Sequence, residues 1–209
     1  MKYILLFLCV IGSMGLQAQN DRAYVNRLTD EFTQKLTERN INDYVVTQHV
    51  CSGRIEMFKI DDGKMCVTKD TYVESYILWK EEDQTFLKKI DNCGLFHSIP
   101  LQDAAAYEFF MANGKTMMGE EVLKYKSASG GNEPAARRTV QPCSRVLQWA
   151  MAEGVSKKEF NLFDIGNTSE EGKNLNYEAN QQLKLIQFQS LMDKEIEKHN
   201  YKRQEYKQK

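Results

Sequence analysis

The chain predicts an α+β fold: an antiparallel sheet of about five to six strands packed by an N-terminal helix, a mid-chain helix and a long C-terminal helix. Three observations carry this. Tyr24, Val25, Leu28, Phe32 and Leu36 recur at helical spacing with charged residues between them. From Tyr44 to Asp91 the chain changes to short β-branched and aromatic runs. After Leu175 it returns to a helical stripe built on Ala179, Leu185, Phe188, Met192 and Ile196.

The first helix is expected over Asp21 to Arg39, with Asn20 or Asp21 as its N-cap. Tyr44 to Val50 reads as a strand. Arg54 to Ile60 runs into Asp61, Asp62, Gly63 and Lys64, and an Asp-Gly pair between apolar runs signals a hairpin. Thr71 to Trp79 and Phe86 to Ile90 flank the polar link Glu81 to Gln84, which completes an antiparallel meander. A helix is expected over Leu101 to Ala112, stopped by Asn113 and Gly114, with a further helical turn near Val122. Residues 127–141, holding Gly130, Gly131 and Pro134, read as a mobile loop inserted in one domain that runs from 20 to 209. Arg145 to Met151 and Lys158 to Phe163 flank Glu153 and Gly154 as a second hairpin. The last helix is expected from Leu175 to Tyr206, its end projecting because it holds too few apolar residues to dock.

Residues 1–19 have the pattern of a secretory signal peptide: Lys2, the apolar run Tyr3 to Ile11, then small and polar residues to Ala18. Cleavage near Ala18 and Gln19 is expected, which places the mature protein in the periplasm or outside the cell. Cys9 follows Leu8, where lipid attachment would want a small residue. No later stretch is apolar enough for a membrane span. The 28 Lys and Arg against 29 Asp and Glu balance closely, and neither a nucleic-acid partner nor an acidic solvating tail is indicated.

An oxidising compartment makes disulfides the first reading of Cys51, Cys66, Cys93 and Cys143, with three possible connectivities. A two-residue Asp62-Gly63 turn sets Lys59 opposite Cys66 and Phe58 opposite Val67. Cys51 then lies more than about 20 Å further along the strand, beyond disulfide reach unless the chain doubles back at Ser52 and Gly53. Cys93 and Cys143 each follow a turn-type residue, Asn92 and Pro142, and are expected to bond to each other. Cys51 and Cys66 are left as reduced thiols buried in the sheet.

His49, Cys51, Cys93 and His97 supply a His-x-Cys pair and a Cys-x-x-x-His pair, a chemically sound zinc set. Disulfides outrank it, because exported cysteine is more often oxidised than metallated. No Cys-x-x-Cys pair and no Gly-x-Ser-x-Gly elbow are present, and no catalytic residue or cofactor is assigned. Tyr72, Tyr76, Trp79, Phe86 and Phe96 read first as cross-strand packing and second as a binding strip. The paired acids Glu81 and Glu82, Asp61 and Asp62, and Glu120 and Glu121 read as solvated charge.

The stretch Cys51 to Ile55, the turn Asp62 to Cys66 and Asn92-Cys93-Gly94, behind a leader ending Gln17-Ala18-Gln19, resemble small exported proteins of unassigned function from Bacteroidota-type bacteria. The resemblance implies no activity. The residues lead to a non-catalytic envelope domain that binds a protein or polymer, of which an inhibitor or immunity-type protein is one form. The rival is a small metal-dependent hydrolase using His49 and His97, which requires both histidines in one cleft beside an acid.

Overall fold

The computed structural model describes residues 22–59, 65–127, 143–152, 154–170 and 172–204. The expected signal segment, the expected Asp62-Gly63 turn and nearly all of the expected mobile loop lie outside these residues. Two helical layers enclose one antiparallel sheet, so the α+β expectation holds with seven strands rather than five or six.

Helix α1 (Arg22–Glu38) buries Val25, Leu28 and Leu36, the stripe read from the sequence. It ends because Asn40 takes a φ of 63° while Arg39 N–H and Ile41 N–H both return to the Leu36 carbonyl. Strand β1 (Tyr44–Ser52) follows and is buried on both faces. Gly53, at a φ of 73°, then turns the chain out of the sheet into a separate two-stranded arm, β2 (Met57–Lys59) and β3 (Met65–Val67).

The chain re-enters the sheet as β4 (Thr71–Glu81) beside β1, and a tight turn at Glu82 leads to β5 (Gln84–Asp91). The short strands β6 (Gly94–Leu95) and β7 (Ile99–Pro100) both pair with β5. Helix α2 (Ala105–Gly119) precedes the second hairpin, β8 (Cys143–Met151) and β9 (Gly154–Asn161). Beyond a 3-10 turn (Leu162–Ile165) and a minor pair, β10 (Thr168–Ser169) with β11 (Gly172–Lys173), lie α3 (Tyr177–Gln182) and α4 (Lys184–Glu197). The main order is β6-β5-β4-β1-β8-β9, so β8 lies directly against β1.

Alternation along the strands sorts the core into two clusters. Tyr44, Val46, Val50, Val73, Ile77, Trp79 and Ile90 meet α1, whereas Val45, Tyr76, Leu78, Leu147 and Trp149 meet α2 and α4.

Four sequence expectations need correction, the first being the helical turn near Val122, since residues 120–126 form no helix. Asn113 and Gly114 do not stop α2, which runs on to Gly119: the Met151 thioether occupies the space a Cβ at residue 114 would take, so this glycine serves close helix-to-strand packing. The long C-terminal helix is two helices, broken at Leu183, whose ψ is 134°. There the Glu120 carboxylate accepts the N–H groups of Lys184 and Leu185 at 2.9 and 2.7 Å, capping α4 from another part of the chain.

The chain end does not project as helix. Through Gln204 it lies extended along the β6 edge, with His97 N–H on the Lys202 carbonyl and Gln204 N–H on the Leu95 carbonyl, each at 2.8 Å. Two ring contacts and one ion pair seat it, where a helical stripe was the signal sought: Tyr201 packs edge-on to Tyr76 and Phe96, and Arg203 lies 3.9 Å from Asp91.

Candidate functional site

The expected Cys93–Cys143 bond does not form, and Cys51 and Cys66 are not free thiols. Cys51 is bonded to Cys143 and Cys66 to Cys93. The first pairing follows from β8 lying beside β1, which sets Cys51 opposite Cys143 with Cα atoms 4.1 Å apart. The second follows from a one-residue change of register in the arm. Phe58, not Lys59, faces Cys66, and a one-residue slip exchanges the two faces of a hairpin. Cys66 therefore turns inward, where it ties the arm to the β5–β6 turn, while Met57, Met65 and Val67 turn outward.

This chemistry also dissolves the zinc set, since Cys51 and Cys93 belong to different disulfides. His97 is exposed, and its backbone N–H rather than its ring is engaged, by Lys202. His49 sits under α4 beside Glu74, Asp193 and Tyr76. The two histidines share no partner, and no group of three metal-ligating side chains occurs among the described residues.

His49 instead belongs to a row of titratable side chains crossing four strands. Register sets Arg145 of β8 opposite His49 of β1, His49 opposite Glu74 of β4, and Glu74 opposite Asp91 of β5. Elements outside the row close it from above. From α4, Asp193 places Oδ1 3.3 Å from His49 Nε2 and 3.5 Å from Arg145 Nη2. Lys89 Nζ lies 2.5 Å from Glu74 and 3.9 Å from Asp91, and within 5.1 to 5.7 Å of the ring centres of Phe96, Tyr76 and Tyr201. The Tyr72 hydroxyl donates to Glu74 at 2.9 Å.

Burial opposes ionisation of Glu74, but His49 and Lys89 outweigh it and hold the carboxyl far below the ordinary glutamate range. For Asp193, burial is likewise overcome, here by His49 and Arg145. Asp91 goes the other way: its burial prevails over Lys89 and Arg203, and its carboxyl is raised. Burial first and the Glu74 charge second push the Tyr72 and Tyr76 hydroxyls far up. Three donors remain buried without an acceptor: His49 Nε2, which lies off the line a hydrogen bond to Asp193 needs, Arg145 Nε and Arg203 Nη1. The row thus links α4 and the chain end to the sheet, and its Glu74 carboxylate is already engaged by Lys89, His49 and the Tyr72 hydroxyl.

Exposed apolar side chains lie instead on the arm. Ile55, Met57, Met65 and Val67 are 64, 68, 55 and 42% exposed, four apolar residues on a short hairpin. Met57 is directly opposite Val67, and among the described residues β2 and β3 form a two-stranded sheet apart from the main one. On the inner face Phe58 packs 5.6 Å from Tyr72, so the arm is held from within by one ring contact and one disulfide. The aromatic residues pack across strands, the first reading of them, and do not form one strip: Trp79 and Phe86 stack on the α1 side, whereas Tyr76 and Phe96 meet Tyr201 on the other.

No family model, no curated protein and no solved structure matches this chain.

Proposed function

We propose that the protein is an exported, non-catalytic envelope protein that binds another protein through the outer face of the β2–β3 arm. The observation that carries this is the exposed cluster of Ile55, Met57, Met65 and Val67 on a hairpin anchored by a disulfide. Two features favour a protein over a polysaccharide or lipid surface. Methionine-rich apolar faces adapt to apolar side chains. Among the described residues no further strand lies beside β2, and an extended segment can add to such an edge with main-chain hydrogen bonds. Export rests on the leader pattern, with which the two disulfides agree. An inhibitor or immunity-type protein is the specific form in which a rigid arm is presented to one target. No helix of the described residues is long and apolar enough to cross a membrane.

The test is a photo-crosslinking capture from the cell envelope with the wild-type protein, with the Met57→Ser/Met65→Ser double variant, and with Leu175→Ser, an exposed apolar residue away from the arm. The expected result is one partner captured by wild type and Leu175→Ser and lost with the double variant. Equal capture by all three removes the arm as the binding surface.

A further inference from the structure

The outer face of the arm carries two thioethers whose oxidation state sets its polarity. Met57 and Met65 are 68 and 55% exposed, against 40% for Met111 on α2 and 0% for Met117 and Met192, which are sealed between the sheet and the α2–α4 layer. Met118 and Met151 pack, partly buried, against that same core. Access decides which thioether an oxidant reaches, so the two most accessible ones stand together on one short hairpin.

Register places them on one surface. Met57 faces Val67 and Met65 faces Lys59, and all four residues lie on the outward side of the arm. Directly opposite residues stand about 4.5 to 5.5 Å apart at Cβ, which brings an oxygen on the Met65 sulfur within reach of the Lys59 ammonium. The fold does not depend on either sulfur. Met57 and Met65 belong to neither core cluster, and the arm is held from its inner face by the Cys66–Cys93 bond and the Phe58–Tyr72 contact.

We propose that Met57 and Met65 form a reversible oxidation site that switches the outer face of the arm between apolar and polar. With hydrogen peroxide as the oxidant, the lone pair of each sulfur takes one peroxide oxygen, the O–O bond breaks, and the second oxygen leaves as water with both protons. Reductases that use a dithiol reverse the step: the sulfoxide oxygen leaves as water and the dithiol closes to a disulfide. Two sulfoxides set two strong acceptors beside Lys59 and leave Ile55 and Val67 as the apolar remainder of the cluster. That the switch closes the arm to a protein partner rests on the function proposed above; the oxidation site itself does not.

The experiment treats the disulfide-intact protein with hydrogen peroxide, follows each methionine by peptide mass mapping, and reads apolar surface as retention on a phenyl column. Met57 and Met65 are expected to gain oxygen first, at least about twofold faster than Met111 and at least about tenfold faster than Met117 and Met192. Retention is expected to fall in step with them at an unchanged thermal midpoint, and to recover with the two methionine sulfoxide reductases, one for each epimer, and dithiothreitol. A Met57→Gln/Met65→Gln variant is expected to elute early before any peroxide is added. Earlier oxidation of Met111 or of a core methionine, retention that does not fall, loss of the fold along with oxidation, or failure of the reductases to restore retention would each overturn the assignment. No partner enters these measurements, so a failed capture experiment removes the arm as a binding surface and leaves them intact. Where wild type does capture its partner, the oxidised protein is expected to lose it, and capture that persists with both sulfurs oxidised overturns the switch.

Discussion

Glu74 is approached from three directions, by His49 across the strand pair, by Lys89 from β5 and by Tyr72 on its own strand. Its folded carboxyl lies far below the unfolded value of 4.5, so its contribution to stability is fully present above that pH and is lost as pH falls below it. Glu74→Gln is expected to cost about 3 kcal/mol at neutral pH, because Lys89 is left buried without its closest anion. The gap between wild type and variant should narrow below about pH 4.5, where the unfolded wild-type chain takes up a proton at Glu74 that the folded protein does not. Urea unfolding of both proteins at about pH 7 and about pH 3 checks this, and an equal gap at both pH values would mean that shape rather than charge is at stake. None of this row was legible in the sequence. Arg145 and Asp91 stand far apart in the chain, and only the register of four strands sets them in line with His49 and Glu74. The disulfides were hidden for the same reason, since Cys51 meets Cys143 only once β8 is known to lie against β1.

Among the elements, α4 has the least self-sufficient start. Leu183 at its N-cap offers no side-chain acceptor, and Glu120, just beyond the end of α2, supplies both oxygens to the exposed N–H groups. Glu120→Gln is expected to cost about 1 kcal/mol, the usual worth of a charged cap at a helix N-terminus, whereas Glu121→Gln should be nearly neutral. Chemical denaturation of the two variants side by side decides it, and equal losses would show that Glu120 does no capping. The two acids are indistinguishable in sequence, since capping across the fold leaves no local pattern. What was legible were elements whose own periodicity is strong: α1, the β4–β5 pair and β8 appear where the apolar spacing places them, whereas β9 starts at Gly154, four residues before the expected Lys158, and gives way to a 3-10 turn at Leu162. The arm was legible as a hairpin but not in its register, because the Asp-Gly signal names a turn type and not the number of residues that enter the loop.

Across the whole molecule, the sheet draws strands from both halves of the chain, with β1 as the seam between β4 and β8. The class of fold follows from patterning, but this central placing of β1 does not. Periodicity reports which residues are buried, while the neighbour of a strand depends on which connection closes most favourably over a long insertion. The two disulfides inherit that arrangement, and their connectivity is nested, Cys66–Cys93 lying inside the span of Cys51–Cys143. A chain that emerges N-terminus first presents Cys51 and Cys66 together before either true partner arrives. Closing that short loop is favoured over closing Cys51–Cys143 by about 1.6 kcal/mol of chain entropy. Oxidation in order of appearance therefore makes two wrong bonds, Cys51–Cys66 and Cys93–Cys143, and maturation depends on thiol exchange or on the sheet assembling before oxidation. Refolding reduced residues 20–209 in a glutathione buffer, with acid trapping at early times, should yield Cys51–Cys66 first, and adding a disulfide isomerase should speed the native form; Cys66–Cys93 as the earliest bond would show instead that the arm docks before the chain is oxidised. A protein built this way would owe its yield less to its own stability than to the shuffling capacity of the compartment that receives it.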